Sequence, residues 1–337
     1  MERLDRFMGR ANALYYATHN PFGDFTTSPE ISQVFGEILG LWAAVTWDLL
    51  GRPNPVLLVE VGPGRGTLLA DALRAVRAVA PAFHAALHLH LIETSPRLRA
   101  AQTRLLPGAV WHDAFDTLPE LPFVLLANEF LDALPIRQFV QRGEHLFERF
   151  IAEGKFVEHR TISSPALNSL SRQAGEGREG GAEIIFELNE AALAVARLLG
   201  ERLVARPGAA LFLDYGPERS TPGDSLQALR NGRPADALGN PGDADLTAHV
   251  DFAAFAAAAR QAGAATYGPV PQGLFLARLG LFQRTERLAR GQSPAKAAEM
   301  IEAARRLAEP HRMGRLFKAL ALTTPASPTP PGFETCS

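Results

Sequence analysis

The chain alternates short apolar runs with segments that carry apolar residues at helical spacing, and this alternation predicts an α/β fold. The clearest case begins with the apolar run 56–61, VLLVEV, and continues across three glycines into 67–73, where apolar residues recur at helical spacing. Such a change of period across glycines is typical of the first strand, loop and helix of a nucleotide-type domain. Further apolar runs predict four more strands, at residues 87–93, 109–112, 123–127 and 210–214.

Each of the first four predicted strands stops on a polar or acidic side chain. These side chains are Glu60, Glu93, Asp113 and the neighbours Asn128 and Glu129. Ligands in open α/β sheets bind at the carboxyl ends of the strands, so repeated acids at that edge predict a ligand site. An acid at the tip of the second strand can accept hydrogen bonds from both hydroxyls of a ribose, which indicates an adenosine group.

The glycine loop between the first strand and its helix leaves three interpretations open. Its sequence, Gly62-Pro63-Gly64-Arg65-Gly66, has neither the GxGxxG spacing of dinucleotide enzymes nor the Lys-Ser/Thr end of a P-loop. It is compatible with a phosphate cradle, with a site for an adenosine that carries a sulfonium and an amino acid, or with a tight turn alone.

The acids beside the loop favour the second interpretation. Carboxylates repel phosphate, which argues against a NAD-dependent oxidoreductase, but they suit a ligand that carries an ammonium, a sulfonium and a ribose. The sequence therefore favours S-adenosylmethionine (SAM), with Glu60 or its neighbours at the amino group, Glu93 at the ribose and Asp113 at the adenine edge. Five parallel strands and a terminal hairpin, predicted at 264–267 and 274–279, also fit the seven-stranded sheet of class I methyltransferases.

Three residues are candidates for the chemistry of methyl transfer. The reaction is an in-line displacement, so the protein supplies alignment and electrostatics, and carboxylates must orient an acceptor nitrogen and take up its proton. Glu129 and Asp132 follow the fourth strand, although their spacing also fits a pair of acids that caps a loop. His249, between Asp245 and Asp251, is a candidate base or substrate-orienting group, with a packing histidine as the alternative.

The N-terminal part of the chain predicts a long loop followed by a helix. Residues 12–30 are rich in aromatic, proline, glycine and small polar residues, and a loop of that length is more often functional than idle. A Ser-Pro-Glu sequence then starts a helix. On this helix Glu30, Gln33 and Glu37 form a polar stripe, for which a solvated face is the alternative interpretation.

A segment in the middle of the chain breaks the α/β alternation. Residues 136–143 and 145–160 have the patterns of antiparallel hairpin strands, so we predict a β-rich insertion in a Rossmann-like core with an N-terminal helical lid. A further helix is predicted at 293–309 and an amphipathic segment at 313–322. The predicted parts are a lid loop and helix at 1–50, a SAM-binding core at 51–135 and 187–282, the insertion at 136–186, and C-terminal helices with a frayed tail at 283–337.

Composition and charge argue against several other classes. The 337 residues carry a net charge of −2 and have a pI near 6.5, which argues against a general nucleic-acid or membrane-surface binder. The single Cys336 excludes a disulfide framework and a thiolate zinc site, and His84, His88 and His90 straddle a helix end and a strand, so we expect no metal site. The N-terminus lacks the features of a signal peptide and no run is long enough to cross a bilayer, so we expect a cytoplasmic protein.

Seven segments of the chain resemble the MidA-like class I SAM-dependent methyltransferases. They are YYAT…PFGDFTTSPEISQVFGE, VEVGPGRGTL, LIETSPRLRAAQ, NEFLDALPIRQF, LFLDYG, DLTAHVDF and MGRLFKAL…PGF, and together they cover essentially the whole chain. The resemblance implies a SAM site at residues 60–66, Glu93, Asp113 and Asn128. It also implies that the substrate is a protein. For the mitochondrial members, which include a complex I assembly protein, the methyl acceptor is an arginine side chain. A homodimer is compatible with this resemblance.

On this resemblance the polar stripe becomes part of a substrate site. Together with Asp24, Glu129 and Asp132, the stripe would form an acidic cup for a guanidinium, a planar fork of donors that paired carboxylates match best. The chain departs from the family at Leu14, where a glycine is usual, and in a loop at Asp24 that is shorter than usual. A SAM-binding assembly factor without catalysis is the alternative function.

Overall fold

The computed structural model describes residues 1–19, 26–161 and 183–334. The chain forms two compact units. Unit 1 comprises Met1–Phe25, Leu131–Val195 and Pro217–Phe255, and unit 2 comprises Thr26–Phe130, Ala196–Gly216 and Ala256–Ser337. None of the described helices combines the length and the apolar character that are needed to cross a bilayer.

Strands and helices are labelled in chain order. The strands are β1 (Glu2–Arg3), β2 (Val56–Val61), β3 (Leu87–Ile92), β4 (Val110–His112), β5 (Phe123–Asn128), β6 (Arg137–Arg142), β7 (His145–Ala152), β8 (Lys155–Arg160), β9 (Ile184–Leu188), β10 (Gly208–Tyr215), β11 (Gln227–Arg230), β12 (Arg233–Pro234), β13 (Asp245–Thr247), β14 (Ala265–Pro271) and β15 (Phe317–Thr323). The helices are α1 (Leu4–Thr18), α2 (Ser28–Ile31), α3 (Gln33–Leu49), α4 (Thr67–Val79), α5 (Pro81–Ala86), α6 (Pro96–Leu105), α7 (Glu190–Ala205), α8 (Phe252–Gln261), α9 (Gln272–Arg278), α10 (Leu281–Ala289) and α11 (Pro294–Ala308).

Unit 2 is built on a seven-stranded sheet in the order β14-β15-β10-β5-β2-β3-β4. Strands β10, β5, β2, β3 and β4 run parallel, and β15 is antiparallel to both of its neighbours. Along the chain, β3 and β4 follow on one side of β2, and β5 and β10 then follow on the other side. The carboxyl ends of β2 and β5 therefore flank a topological switch point, where open α/β sheets bind ligands. The predicted seven-stranded, Rossmann-like sheet is confirmed.

Helix α3 packs closely on α4, the helix that follows the glycine loop. A Cβ on Gly40 would lie 2.7 Å from the Cα of Ala72, so only glycine permits the two backbones to approach this closely. The helix predicted from residue 28 is interrupted at Ser32, which is extended and caps α3 by accepting a hydrogen bond from the Val34 N–H at 3.2 Å. The interruption separates the predicted helix into α2 and α3.

The closing strand of the sheet differs from the sequence prediction. Residues 274–279, predicted as its second hairpin strand, lie in α9 and the turn after it, because Phe275 and Leu276 are both buried while Leu274 is exposed. Adjacent buried residues fit a helix and conflict with the alternation of a half-buried strand. The last described strand is β15, which overlaps the segment predicted as amphipathic at 313–322 and buries all seven of its residues.

The described part of the C-terminal tail is packed on unit 2. The Phe333 side chain is buried, and its ring centroid lies 5.1 Å from that of Phe275. The Trp42 indole N–H donates a hydrogen bond to the Pro331 carbonyl at 3.1 Å. The tail predicted as frayed is therefore held at residues 331–333 by apolar burial and by a hydrogen bond to α3.

The described residues of unit 1 form two antiparallel sheets. Strands β1, β7, β6 and β9 are neighbours in one sheet, with β8 on the other side of β7, and the second sheet has the order β12-β11-β13. Gly143 and Gly154, with φ values of 57° and 71°, occupy the turns of the two predicted hairpins, which are confirmed. The second sheet lies within residues 227–247, for which no strand was predicted. Its Leu246 packs with Leu4 and Met8 of α1 in the core of the unit.

Candidate functional site

The glycine loop of unit 2 turns the chain tightly from β2 into α4. Gly62, Gly64 and Gly66 have φ values of 62°, 54° and 86°, in the left-handed region that glycine adopts without strain. The Gly66 N–H donates to the carbonyl of the buried Pro63 at 2.7 Å, and the Gly62 N–H donates to the Ile92 carbonyl at 3.0 Å. The loop is thus anchored to the end of β3 and leads directly to the first turn of α4.

Glu60 is the buried acid of β2. The residue is 3 % exposed, and burial raises the pKa of its carboxyl well above the usual range. A hydrogen bond from the Leu69 N–H opposes this shift, while the charge of Glu93 adds to it. Oε2 of Glu60 has no hydrogen-bond partner among the described residues. This oxygen can therefore accept a hydrogen bond from a bound ligand.

Glu93 directly follows β3 and is nearly as buried. Its Oε1 accepts a hydrogen bond from the Ser95 N–H at 2.7 Å, and its Oε2 lies 3.3 Å from Nε2 of Gln102. Burial raises the pKa of Glu93, and these hydrogen bonds oppose the shift. The carboxylate is fixed in orientation at the tip of the second parallel strand, which is the position expected for a group that accepts hydrogen bonds from a ribose.

Asp113, after β4, is different because its side chain is largely exposed. Its Oδ1 pairs with the Arg99 guanidinium at 2.6 Å. Arg99 also donates to the carbonyls of Glu93 at 2.6 Å and of His112 at 3.1 Å. The arginine thus ties the ends of β3 and β4 together and holds Asp113 beside them.

Asn128 and Glu129 form the end of β5. Nδ2 of Asn128 donates to Oε1 of Glu129 at 3.0 Å, and the Ser28 N–H donates to the same oxygen at 3.0 Å. Glu129 has a φ of 51°, which is unusual for a residue with a side chain. Burial raises the pKa of Glu129, against the opposing effect of these hydrogen bonds. The carboxyl is therefore fixed in place, and it binds a proton more readily than an exposed glutamate does.

The residues at this edge fit the amino-acid end of SAM. Oε2 of Glu60 and Oδ1 of Asn128 are both buried acceptors without a hydrogen-bond partner in the described parts of the chain. They end neighbouring strands, since Val61 lies opposite Ala127 in the pairing of β2 with β5. A buried acceptor left unpaired costs about 1–3 kcal/mol, and an ammonium group would supply up to three donors.

The polar stripe does not act as one surface. Oε1 of Glu30 accepts a hydrogen bond from the Thr67 hydroxyl at 2.6 Å, so Glu30 supports the start of α4. Glu37 is 2 % exposed, and its two oxygens accept hydrogen bonds from Arg74 at 2.9 Å and Arg284 at 2.7 Å. Gln33 Nε2 lies 3.3 Å from the same carboxylate. The predicted substrate role of Glu37 conflicts with this arrangement, because two internal guanidinium groups occupy its carboxylate.

Two other predicted residues, Asp132 and His249, belong to unit 1. Asp24 is outside the described residues. Asp132 belongs to unit 1, where it is buried and its backbone carbonyl accepts a hydrogen bond from the Ala248 N–H at 3.0 Å. His249 also belongs to unit 1, is exposed, and donates its backbone N–H to the Ser225 hydroxyl at 2.8 Å.

Three residues at the site were not predicted from the sequence. Gln102 bonds to the glycine loop and to Glu93, Arg99 ties two strand ends, and Ser28 holds Glu129. A signal for Gln102 was present, because it follows Leu98 by four residues and thus places an amide on the buried face of α6. The contact of Ser28 joins residues 101 positions apart and leaves no pattern in the sequence.

Comparisons with known proteins show the family to which the chain belongs. Residues 38–270 match a family described as putative S-adenosyl-L-methionine-dependent methyltransferase. The protein arginine methyltransferase NDUFAF7, mitochondrial, of Danio rerio is 32 % identical over 340 residues, which cover 90 % of this chain and 77 % of the relative. Its homologue in Drosophila melanogaster is 33 % identical over 360 residues, which cover 95 % and 80 %.

A solved structure also matches the whole fold. The crystal structure of a Burkholderia thailandensis protein bound to S-adenosyl-homocysteine superposes with a TM-score of 0.75 at 26 % sequence identity and covers 99 % of this chain and 89 % of its own. The family match spans the glycine loop and the ends of the first five parallel strands. This chain belongs to the family of SAM-dependent methyltransferases that its sequence motifs resemble.

Proposed function

We propose that this chain transfers the methyl group of SAM to an arginine side chain of a protein substrate. Similarity to relatives named protein arginine methyltransferase supports the acceptor class. The single structural observation that carries the proposal is the Glu129 carboxyl, which two hydrogen bonds hold at the end of β5 on a backbone with a φ of 51°. Backbone strain of this kind clusters at functional sites.

The residues that we propose to bind the cofactor lie at or beside the carboxyl ends of the parallel strands. Glu60 and Asn128 would accept hydrogen bonds from the ammonium of SAM, because each offers a buried acceptor without a partner in the described chain. Gly62, Pro63, Gly64 and Gly66 let the backbone approach the methionyl part. Glu93 would bind the ribose hydroxyls, and Asp113 would lie at the adenine edge.

The chemistry assigned to Glu129 is orientation of the acceptor and removal of its proton. A guanidinium nitrogen bonds to the methyl carbon while the carbon–sulfur bond breaks and the sulfur keeps the electron pair, which leaves S-adenosylhomocysteine. The nitrogen gives up one proton in this exchange, and the Glu129 carboxylate accepts it. A raised pKa makes this carboxylate a better proton acceptor than an exposed one would be.

The other predicted residues enter the proposal to different degrees. Asp132 and His249 stay predictions for the orientation of the substrate, as do Asp24 and Gln33. Glu30 is retained only as a support of α4, since its carboxylate is bound to Thr67. Glu37 is not part of the substrate site proposed here.

The test compares two glutamine variants for methylation and for cofactor binding. Proteins from cells that lack the gene are incubated with the purified enzyme and tritiated SAM, and labelled residues are identified by mass spectrometry. For Glu129→Gln we expect a loss of methylarginine of about 100-fold or more, because general acid–base groups contribute on that scale. Its affinity for S-adenosylhomocysteine should remain close to that of the wild type. The exposed Glu120→Gln is the matched control and should retain activity.

The possible outcomes separate the alternatives. If the wild type binds S-adenosylhomocysteine but labels no protein, and Glu129→Gln has no effect in cells, the chain acts as a SAM-binding assembly factor without catalysis. If the label appears on lysine or on small molecules, the acceptor class is wrong. Tight binding of NAD in the same calorimetric titration would contradict the cofactor assignment of this site.

A respiratory-complex subunit is the substrate that we propose to examine first. The resemblance to a complex I assembly protein is the basis for this choice. The relatives are named mitochondrial, whereas the location expected for this chain from its sequence was cytoplasmic, and that expectation stays a prediction.

A further inference from the structure

Gln102 is a fully buried polar side chain near the cofactor edge of unit 2. It lies on α6 with 0 % exposure. A polar amide in such a position is stable only when its donors and its acceptor are all paired. The identity of these partners therefore indicates the role of Gln102.

The three partners of Gln102 come from three different elements. Its Nε2 donates to the Gly64 carbonyl at 2.8 Å and lies 3.3 Å from Oε2 of Glu93. Its Oε1 accepts a hydrogen bond from the Trp111 indole N–H at 2.7 Å. An indole N–H can only donate, so Oε1 must face Trp111 and Nε2 must face the glycine loop and the acid.

Helix α6 lies against the glycine loop at Gln102. A Cβ on Gly66 would lie 3.5 Å from Cγ and 3.7 Å from Cα of Gln102, which are ordinary van der Waals distances. The loop and α6 are therefore in close proximity at this point. The amide of Gln102 then bridges the loop that approaches the methionyl part of SAM and the acid assigned to its ribose.

We propose that Gln102 is a positioning residue, which holds the glycine loop and Glu93 at the separation that SAM requires. This inference rests on the cofactor roles proposed above for the loop and for Glu93. Ligand binding depends on both groups simultaneously, so an error in their separation weakens binding even when each group is intact. The role assigned to Gln102 is to act through these two partners.

Two substitutions of Gln102 separate positioning from a packing role. Gln102→Met keeps the volume but leaves the Gly64 carbonyl and the Trp111 N–H without their partner. Gln102→Glu keeps the acceptor for Trp111, but when ionised it places a carboxylate against the Gly64 carbonyl and Glu93. Protonation of that new carboxyl restores a donor, so its effect should depend on pH.

The experiment is a calorimetric titration of the full chain with S-adenosylhomocysteine, below the melting temperature of every variant. The wild type is titrated first, so that a failure of the cofactor assignment itself is recognised separately. We expect Gln102→Met to weaken binding about tenfold, as the loss of a buried hydrogen-bond partner predicts. Leu322→Val, in β15 at the other side of the sheet, is a destabilised control that should bind like the wild type.

The Gln102→Glu variant supplies a second reading. Its affinity relative to the wild type should be weakest at pH 8 and should recover as the pH is lowered toward 5.5, because the protonated carboxyl resembles the amide. A role in packing alone would give no such recovery. The proposal is overturned if Gln102→Met binds as tightly as the wild type, if Leu322→Val loses as much affinity, or if the pH dependence of Gln102→Glu matches that of the wild type.

Discussion

The backbone N–H of Ser28 donates a hydrogen bond to Oε1 of Glu129 at 3.0 Å. Ser28 is the first residue of α2. Helix α2 therefore begins at the carboxyl of Glu129, the residue that follows β5. A helix N-terminus carries partial positive charge and unpaired N–H groups, both of which favour a carboxylate. The segment before the sheet therefore affects the protonation of the Glu129 carboxyl, the proposed proton acceptor.

This relationship predicts a difference between two substitutions at one position. Ser28→Pro removes the N–H donor, while Ser28→Ala retains it, and proline is tolerated in the first turn of a helix. We expect Ser28→Pro to lower the methylation rate about 10-fold or more, because a hydrogen bond to a charged group contributes about 1.5–3 kcal/mol. Ser28→Ala should stay much closer to the wild type. Equal rates for the two variants would show that the backbone bond does not matter.

The raised pKa of Glu129 predicts how the rate depends on pH. The carboxyl must be ionised to accept a proton, and burial places its pKa above the ordinary value of 4.5. The rate at saturating SAM should therefore rise as the pH increases through that raised pKa and then level off. Measured rates of Glu129→Gln over the same range should lose this rise. A wild-type profile in which the rate does not rise with pH above 4.5 would argue against proton acceptance by Glu129.

The sequence pattern predicted the strand ends well, because a short apolar run followed by a polar residue directly reflects a buried strand that reaches solvent. Glu60, Glu93 and Asn128 lie at the strand ends where that pattern places them. The partners of these residues could not be predicted in the same way. Arg284 reaches Glu37 from 247 positions along the chain, and such long-range pairs depend on how helices pack rather than on local spacing.

The error at the end of the chain has a related cause. β15 is buried on both faces and therefore lacks the alternation that marks a half-exposed strand, while the short helix α9 carries an apolar run that resembles one. Forty-five residues, 272–316, separate β14 from β15, so the closing hairpin has a helical insertion. Periodicity alone does not distinguish a short buried helix from a strand.

The ionic cluster around Glu37 predicts an asymmetric effect on stability. Glu37 is 2 % exposed, whereas the side chains of Arg74 and Arg284 are 53 % and 36 % exposed. Loss of both arginines would leave a buried carboxylate without a cation, so Arg74→Met with Arg284→Met should lower the free energy of unfolding by about 3 kcal/mol. Adding Glu37→Met should recover most of that loss, because an apolar replacement of a buried ionic group is often neutral.

The measurement for this cluster is urea unfolding followed by circular dichroism. Lys296→Met is the control, since it breaks an exposed pair with Glu299 and should change the free energy of unfolding by less than about 0.5 kcal/mol. A triple variant less stable than the double variant would contradict the interpretation of Glu37 as a carboxylate that needs its cations.

A pair of buried histidines joins β3 to β4 in unit 2. Nδ1 of His90 lies 2.7 Å from Nε2 of His112, and Nδ1 of His112 lies 2.8 Å from the Thr117 hydroxyl. That hydroxyl donates to the Ala114 carbonyl, so it accepts from His112, and Nε2 of His112 accepts from His90. In this arrangement each neutral ring carries its proton on Nδ1, and a second proton, on Nε2 of His112, would face the N–H of His90.

This pair predicts a loss of stability in mild acid. Burial, with the charge of His112, lowers the pKa of His90 to about 4, and burial also lowers the pKa of His112. In the unfolded chain both histidines are protonated near their ordinary pKa of 6.5, whereas in the folded state they are protonated only at lower pH. The contribution of the pair to stability is therefore complete above pH 6.5 and is lost as the pH falls toward 4. We expect the melting temperature to fall between pH 7 and pH 5, and to fall less in His90→Gln. The exposed His84→Gln should follow the wild type, and an equal fall in all three proteins would refute this origin.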